Sequence, residues 1–180
     1  PADGSTVIWR LELKSPPRQC GTMSRPSTPH AYHTRRAAAV DVPGIVRLLS
    51  QLTSENPTDE TIAQSRLKAL AQWPGSGVWI ALEGDAVVAT CTLIVVPNLS
   101  RHGTPWALIE NVVTDRDHRG KGYGRAVIKS AVDSAFGLGC FKVMLATGST
   151  DPETHRFYEG CGFAQTKLAY EIRRLPKRPD

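Results

Sequence analysis

Residues 107–136 restrict this chain more than any other stretch. An apolar run (Ala107-Leu108-Ile109, resumed at Val112-Val113) is followed by a polar loop and by glycines at 120, 122 and 124. A helix then reads from about Gly122 to Phe136, with Gly137 and Gly139 to end it. Glycine permits a close backbone approach because no Cβ stands in the way. The first turn of a helix leaves N–H groups unpaired, and the helix dipole adds positive potential there. A strand, a glycine-rich loop and a helix start therefore make a cradle for a pyrophosphate. Arg119, Lys121 and Arg125 supply charge at its rim, with Gly120, Gly122, Tyr123 and Gly124 as its backbone.

The surrounding segments place this unit in an α/β domain. Tyr32–Ala37 reads as a short strand. Asp41 is positioned to cap a helix whose Ile45, Leu48, Leu49 and Leu52 share one face, with Pro43 in its first turn. A second helix reads from Thr58 to Trp73, stopped by Pro74-Gly75. Gly77–Leu82 and Ala86–Val96 form a hairpin about Glu83-Gly84-Asp85. A polar loop at 97–104 leads to a strand over Pro105–Val113. Lys142–Ala146 is another strand, and Asp151-Pro152 opens a short helix closed by Gly160 and Gly162. Gln165–Arg173 reads as a final strand. The order is an antiparallel meander followed by β-α-β-α-β, hence one mixed sheet with helices around it.

Residues 1–30 differ from the rest. Val7, Trp9, Leu11 and Leu13 alternate as in one half-buried strand, and Pro16, Pro17, Pro26 and Pro29 follow in linker-like sequence. The expected organisation is an extension over 1–30 and a domain over 31–180.

Composition narrows the partners. The 180 residues are 41% apolar and 22% charged, which suits one globular domain without staples. There is no bilayer-length apolar run and no secretory pattern at the start, so no membrane partner is expected and a cytoplasmic location is. Cys20, Cys91, Cys140 and Cys161 form neither a CxxC pair nor a zinc-spaced cluster, so they read as free thiols and no metal is expected. The charge of +5 is scattered apart from Arg173, Arg174, Lys177 and Arg178, with no aromatic residues interleaved. A polyanionic small ligand accounts for it as well as a nucleic acid would, and no nucleic-acid partner is expected.

Two familiar phosphate binders fail on the residues. A P-loop needs Gly-Lys-Ser/Thr after four spacers, which is absent here. A dinucleotide fingerprint begun at Gly120 needs glycine where Arg125 stands, and an acid where the chain has the apolar strand near Met144. The pattern Arg119-x-x-Gly122-x-Gly124 after a strand instead resembles the coenzyme A-binding motif of the GNAT superfamily of N-acetyltransferases. Ile109-Glu110-Asn111-Val112-Val113 resembles the strand before that motif. Phe157-Tyr158-Glu159-Gly160-Cys161-Gly162-Phe163 resembles the family's FYxxxGF segment. The resemblance spans roughly residues 33–174.

It implies a mostly antiparallel sheet, splayed at the cofactor site, and acetyl-CoA as co-substrate. The backbone of Val112, Val113 and Thr114 would hold the pantetheine arm, with an N–H of Val113 or Thr114 facing the thioester carbonyl. Amine attack on a thioester requires loss of the amine's proton, stabilisation of the oxyanion and protonation of the thiolate. Tyr158 stands at the family's general-acid position; taken alone it reads as a core aromatic. Glu110, an acid inside an apolar run, reads as a general base acting through water or as an ion-pairing clamp for the substrate ammonium. Strand alternation puts it with Leu108 and Val112. Asp151 stands where many family members carry Asn and also suits a helix cap. Phe157 either packs on the pantetheine or fills the core. His102, His118 and His155 show no partner pattern.

Within the superfamily, Ile109-Glu110-Asn111, Gly139-Cys140-Phe141-Lys142 and the FYxxxGF segment look most like glucosamine-phosphate N-acetyltransferases. Asn111, however, replaces a typical acid, and residues 41–73 carry no legible sugar-phosphate signature. The expected activity is acetyl transfer to the primary amine of a small molecule or amino sugar, by direct attack, in a homodimer. The alternatives are a protein-lysine or N-terminal acyltransferase, and a coenzyme A-binding regulatory domain without catalysis.

Overall fold

The computed structural model describes residues 32–52 and 56–174. The strand expected over Val7–Leu13, Cys20 and the basic pair Lys177 and Arg178 lie outside them. Five strands form one open sheet in chain order: β1 (His33–Arg36), β2 (Gly77–Glu83), β3 (Ala86–Val96), β4 (Trp106–Thr114) and β5 (Val143–Leu145). Neighbours are antiparallel except β4 and β5, which run parallel. A parallel pair needs a long crossover, here α3 (Tyr123–Gly137). The remaining helices are α1 (Val42–Leu49), α2 (Glu60–Gln72) and α4 (Pro152–Gly160).

Period-two alternation in the central strands feeds two cores. Trp79, Ala81, Cys91, Leu93, Ala107 and Ile109 face Val127, Ile128, Ala131 and Ala135 of α3, and Phe157, Tyr158 and Phe163 pack on the same cluster. On the other side Ile80, Leu82, Val87 and Val113 meet Ile45 and Leu48 of α1.

The turns follow local chemistry. Gly84, at φ +57°, occupies the left-handed region in the β2–β3 hairpin. Asp59 caps α2 by accepting the N–H groups of Thr61 and Ile62. Asp151 caps α4, accepting the Glu153 N–H at 2.9 Å, with Pro152 in the first turn.

Several expectations need correction. Asp41 precedes α1 but does not cap it with its side chain. Its carboxylate is held by both Arg35 guanidinium N–H groups, at 2.7 and 2.8 Å, and by the Ala38 N–H. Leu52 falls beyond the end of α1 and is half exposed, so it does not share the helix's apolar face.

Gln165–Arg173 forms no strand. Leu168, Tyr170 and Ile172 are 79%, 94% and 101% exposed. Alternation alone does not make a strand, because its N–H and C=O groups need a neighbouring ladder. None pairs with this segment among the described residues.

The irregularity that matters most lies in β4. Thr90 faces Val113 and Thr92 faces Glu110, so Asn111 and Val112 together oppose one residue of β3. This is a β-bulge, with Asn111 in the left-handed region at φ +53°. The bulge reverses the alternation. Ile109 and Val112 both pack on the α3 side, while Val113 faces α1. Val112 therefore does not continue the Leu108–Glu110 face, as uninterrupted alternation predicts.

Candidate active site

β4 and β5 pair only over Ala107–Val143, Leu108–Met144 and Ile109–Leu145. Beyond Ile109, β4 runs on to Thr114 with no β5 partner, so one edge of residues 110–114 opens into the gap between the strands. The direction of the free backbone groups follows from the ladder. The Asp115 N–H bonds Val88 O, toward β3, at 2.9 Å. Alternate residues point the same way, so the Val113 N–H also turns to β3 and that of Thr114 turns to the gap. Of the two carbonyl-facing donors expected, Thr114 has the right direction. Its carbonyl, on the same side, accepts Arg119 Nε at 3.4 Å.

The glycine loop lies at one end of this gap. Gly120 (φ +74°) and Gly122 (φ +90°) take left-handed conformations, and Gly122 is the N-cap of α3. A Cβ on Gly122 would strike the Tyr32 hydroxyl, which donates to Lys121 O at 2.7 Å. A Cβ on Gly124 would stand 2.6 Å from Thr114 Oγ1 and 3.3 Å from Phe157 Cζ. Glycine at both positions lets Tyr32, Thr114 and Phe157 pack directly on the backbone. The first-turn N–H groups of α3 lack intrahelical partners, as at any helix start, and such groups suit an anion.

Arg125 lies elsewhere than the sequence suggests. Its guanidinium rests beside Gly160, where an added Cβ would be 2.9 Å from Nη2, and it partners the Cys161 thiol. It therefore meets the C-terminal end of α4, where a cation is favoured. Tyr123 turns its hydroxyl outward to Glu83 Oε1 at 2.7 Å. Asp151 spends its carboxylate on capping α4. Phe157 packs on the α3 core and on Tyr158, ring centroids 5.2 Å apart.

Tyr158 is half-buried in the α3-side core, with Phe163 edge-on at 6.5 Å. Burial, then the proximity of Cys161, Glu110 and Cys91, raises its phenol pKa above the usual value. Its hydroxyl takes no protein partner among the described residues. Glu110, opposite Thr92 on the rung before the bulge, has its carboxyl pKa raised by burial. The Glu110 carboxylate thus acts on the Tyr158 phenol near the point where β4 leaves β5. Cys91 is fully buried and its thiol is pushed up to about 12, so it is inert.

An acidic network behind the loop escaped the sequence reading. His118 lies between Glu83 and Asp115, and Asp115 also accepts Arg47 Nη1 at 2.5 Å and Gln51 Nε2 at 3.1 Å. The spacing Asp115-x-x-His118 was a local signal for half of it. Glu83, Arg47 and Gln51 come from distant segments that no local pattern connects.

Two strands that part beside a glycine loop and helix start, with a half-buried acid and a phenol at the parting, form a layout suited to group transfer. The chain belongs to the acetyltransferase (GNAT) family, whose pattern matches residues 45–163. Glucosamine 6-phosphate N-acetyltransferase 1 of Oryza sativa subsp. japonica is 30% identical over 142 residues, covering 77% of this chain and 84% of the relative. A solved structure from Agrobacterium tumefaciens str. C58 is 44% identical, with a TM-score of 0.75 over 79% of this chain and 99% of that one. The structure of glucosamine-6-phosphate N-acetyltransferase from Arabidopsis thaliana superposes with a TM-score of 0.72 at 23% identity, over 81% and 99% of the two chains. At that identity the likeness speaks for the fold. The mixed, mostly antiparallel sheet splayed beside the glycine loop is thus the family's architecture, and the chain is an acetyltransferase.

Proposed function

We propose that this acetyltransferase takes acetyl-CoA as donor and acetylates the primary amine of a small amino sugar, with glucosamine 6-phosphate as the first candidate. The carrying observation is the glycine loop and start of α3, with left-handed Gly120 and Gly122, beside the place where β4 parts from β5. The relatives named for glucosamine 6-phosphate support the acceptor. Bound acetyl-CoA would supply a thioester activated toward amines. The α3 N-terminus and Lys121 would bind its phosphates, and the open edge of Val112–Thr114 its amide-bearing arm. The Thr114 N–H is the donor aimed at a carbonyl oxygen in the gap. Tyr158 holds a proton at its hydroxyl for the departing thiolate, and Glu110 accepts one from the amine, directly or through water.

The exposed Leu168, Tyr170 and Ile172, together with the unpaired outer edge of β5, support a homodimer as the working assembly. Light scattering on the full chain should give twice the monomer mass; a monomeric mass at assay concentration would remove this part of the proposal.

The direct test is release of free thiol from acetyl-CoA with and without glucosamine 6-phosphate. Amine-dependent release is expected. A folded protein that binds acetyl-CoA but turns over no amine would instead be a coenzyme A-binding regulator.

Glu110 sets the expected pH dependence. It acts as a carboxylate and its pKa is raised, so kcat/KM should decline as pH falls through that raised value, above the usual 4.3 or so. Glu110→Gln should remove this limb and lower kcat by roughly a hundredfold or more. If Glu110 instead clamps the substrate ammonium, the variant will raise the amine KM and leave kcat close to wild type.

A further inference from the structure

The loop that carries the glycines is tied down by a histidine with two acidic neighbours. His118 Nε2 lies 2.9 Å from Glu83 Oε2, and Nδ1 lies 3.1 Å from Asp115 Oδ1. Ionised carboxylates only accept hydrogen bonds. A neutral imidazole has one N–H and one lone pair, so it can satisfy one carboxylate while facing the other with its lone pair. Only the imidazolium donates to both.

The two carboxylates are not equally held. Asp115 is buried and fixed by Arg47, by Gln51 and by the Asp117 N–H. Its pKa lies well below the usual range, because of Arg47 first and His118 second. Glu83 is half exposed at the end of β2, and its other oxygen accepts the Tyr123 hydroxyl. Glu83 therefore links His118, before the glycines, to Tyr123, between Gly122 and Gly124. If His118 loses its proton, Asp115 keeps the remaining N–H and the tie to Glu83 is the one that opens.

We propose that protonated His118, bridging Asp115 and Glu83, positions the glycine loop for the donor's phosphates, so that acetyl-CoA affinity falls as the histidine deprotonates. This rests on the acetyl-CoA reading above. Charge acts in the same direction as geometry. Glu83, Asp115, Arg47 and the imidazolium sum to zero, whereas the neutral ring leaves one net negative charge behind a phosphate site. Lys121, in the loop itself, opposes protonation, and the Tyr123 ring stands edge-on to the imidazole at 6.0 Å. The carboxylates prevail: the His118 pKa is raised, by Asp115 first and then by Glu83. The sign follows. The contribution is complete below the unperturbed value of about 6.5 and is lost as pH rises through the higher folded-state value.

The test is calorimetry of acetyl-CoA binding to the full chain between pH 7 and 9.5, a range above the second ionisation of a phosphate monoester at about 6. Wild type, His118→Gln and Glu83→Gln are compared, each confirmed folded by circular dichroism. NMR of the histidine ring carbons follows His118 itself. Wild-type affinity should fall about fivefold to tenfold over this range, the scale of one unit charge at an effective dielectric near 20. Both variants should give flat profiles, and Glu83→Gln should lower the His118 pKa. The same decline in His118→Gln would overturn the inference and leave the acetyl-CoA reading standing. So would a His118 that titrates at or below about 6.5. No binding at any pH by folded wild type would overturn both.

Discussion

Gly124→Val is expected to weaken acetyl-CoA binding by at least about a hundredfold while the protein still folds. The added Cβ would lie 2.6 Å from Thr114 Oγ1, at the end of β4, and 3.3 Å from the Phe157 ring. Either Thr114 and Phe157 retreat or the first turn of α3 lifts, and both movements displace the N–H groups meant for phosphate. Hydrogen bonds to a charged group contribute about 1.5–3 kcal/mol each. Losing one or two of them accounts for a hundredfold, at about 1.4 kcal/mol per factor of ten. Isothermal titration alongside a thermal melt separates the effects. Unchanged affinity in a folded variant would mean that the cofactor does not approach this turn.

The second large effect is expected at Tyr158. Removing its hydroxyl in Tyr158→Phe should lower kcat by roughly 10²–10⁴-fold, the usual range for a positioned proton donor, with little change in the acetyl-CoA KM. The ring still fills the space between Phe157 and Phe163, so stability should change little. Burial and the neighbouring groups raise the phenol pKa, so the donor stays protonated throughout the neutral range. Activity should therefore show no high-pH limb from Tyr158 below about pH 10. Steady-state kinetics with glucosamine 6-phosphate would decide this. A variant with wild-type kcat would return Tyr158 to the role of a core aromatic.

Much of the fold was legible because local chemistry and tertiary structure agree. Glu83-Gly84-Asp85 marks a hairpin, the glycines at 120 and 122 mark a helix entry, and Asp151-Pro152 marks another. The candidate site's local structure was legible where it is contiguous, as at the strand, glycine loop and helix start of residues 106–137. It was illegible where it depends on departures from periodicity or on contacts distant in sequence. Asn111 is among the few side chains that tolerate a left-handed backbone, yet an asparagine inside an apolar run announces a bulge only weakly. Arg125 sits at the expected spacing for a phosphate contact but is captured by the end of α4. The tail at 165–173 has a strand's alternation and no neighbour to complete it. The ties between Glu83, the Asp115–His118 turn and Arg47 join three separate segments, and only the folded sheet brings them together.

The bulge at Asn111 acts on β4 much as a frameshift acts on a message. With the extra residue in place, Ile109 and Val112 read toward α3 and Val113 reads toward α1. Flattening the bulge with Asn111 kept in the ladder would restore the two-residue phase and swap every later position of the strand between faces. The Thr114 N–H would then turn into the β3 ladder and away from the gap. Removing Asn111 altogether would instead keep Val112, Val113 and Thr114 opposite their present β3 partners. Alignments that slide a gap through this strand would pair residues from opposite faces of the sheet.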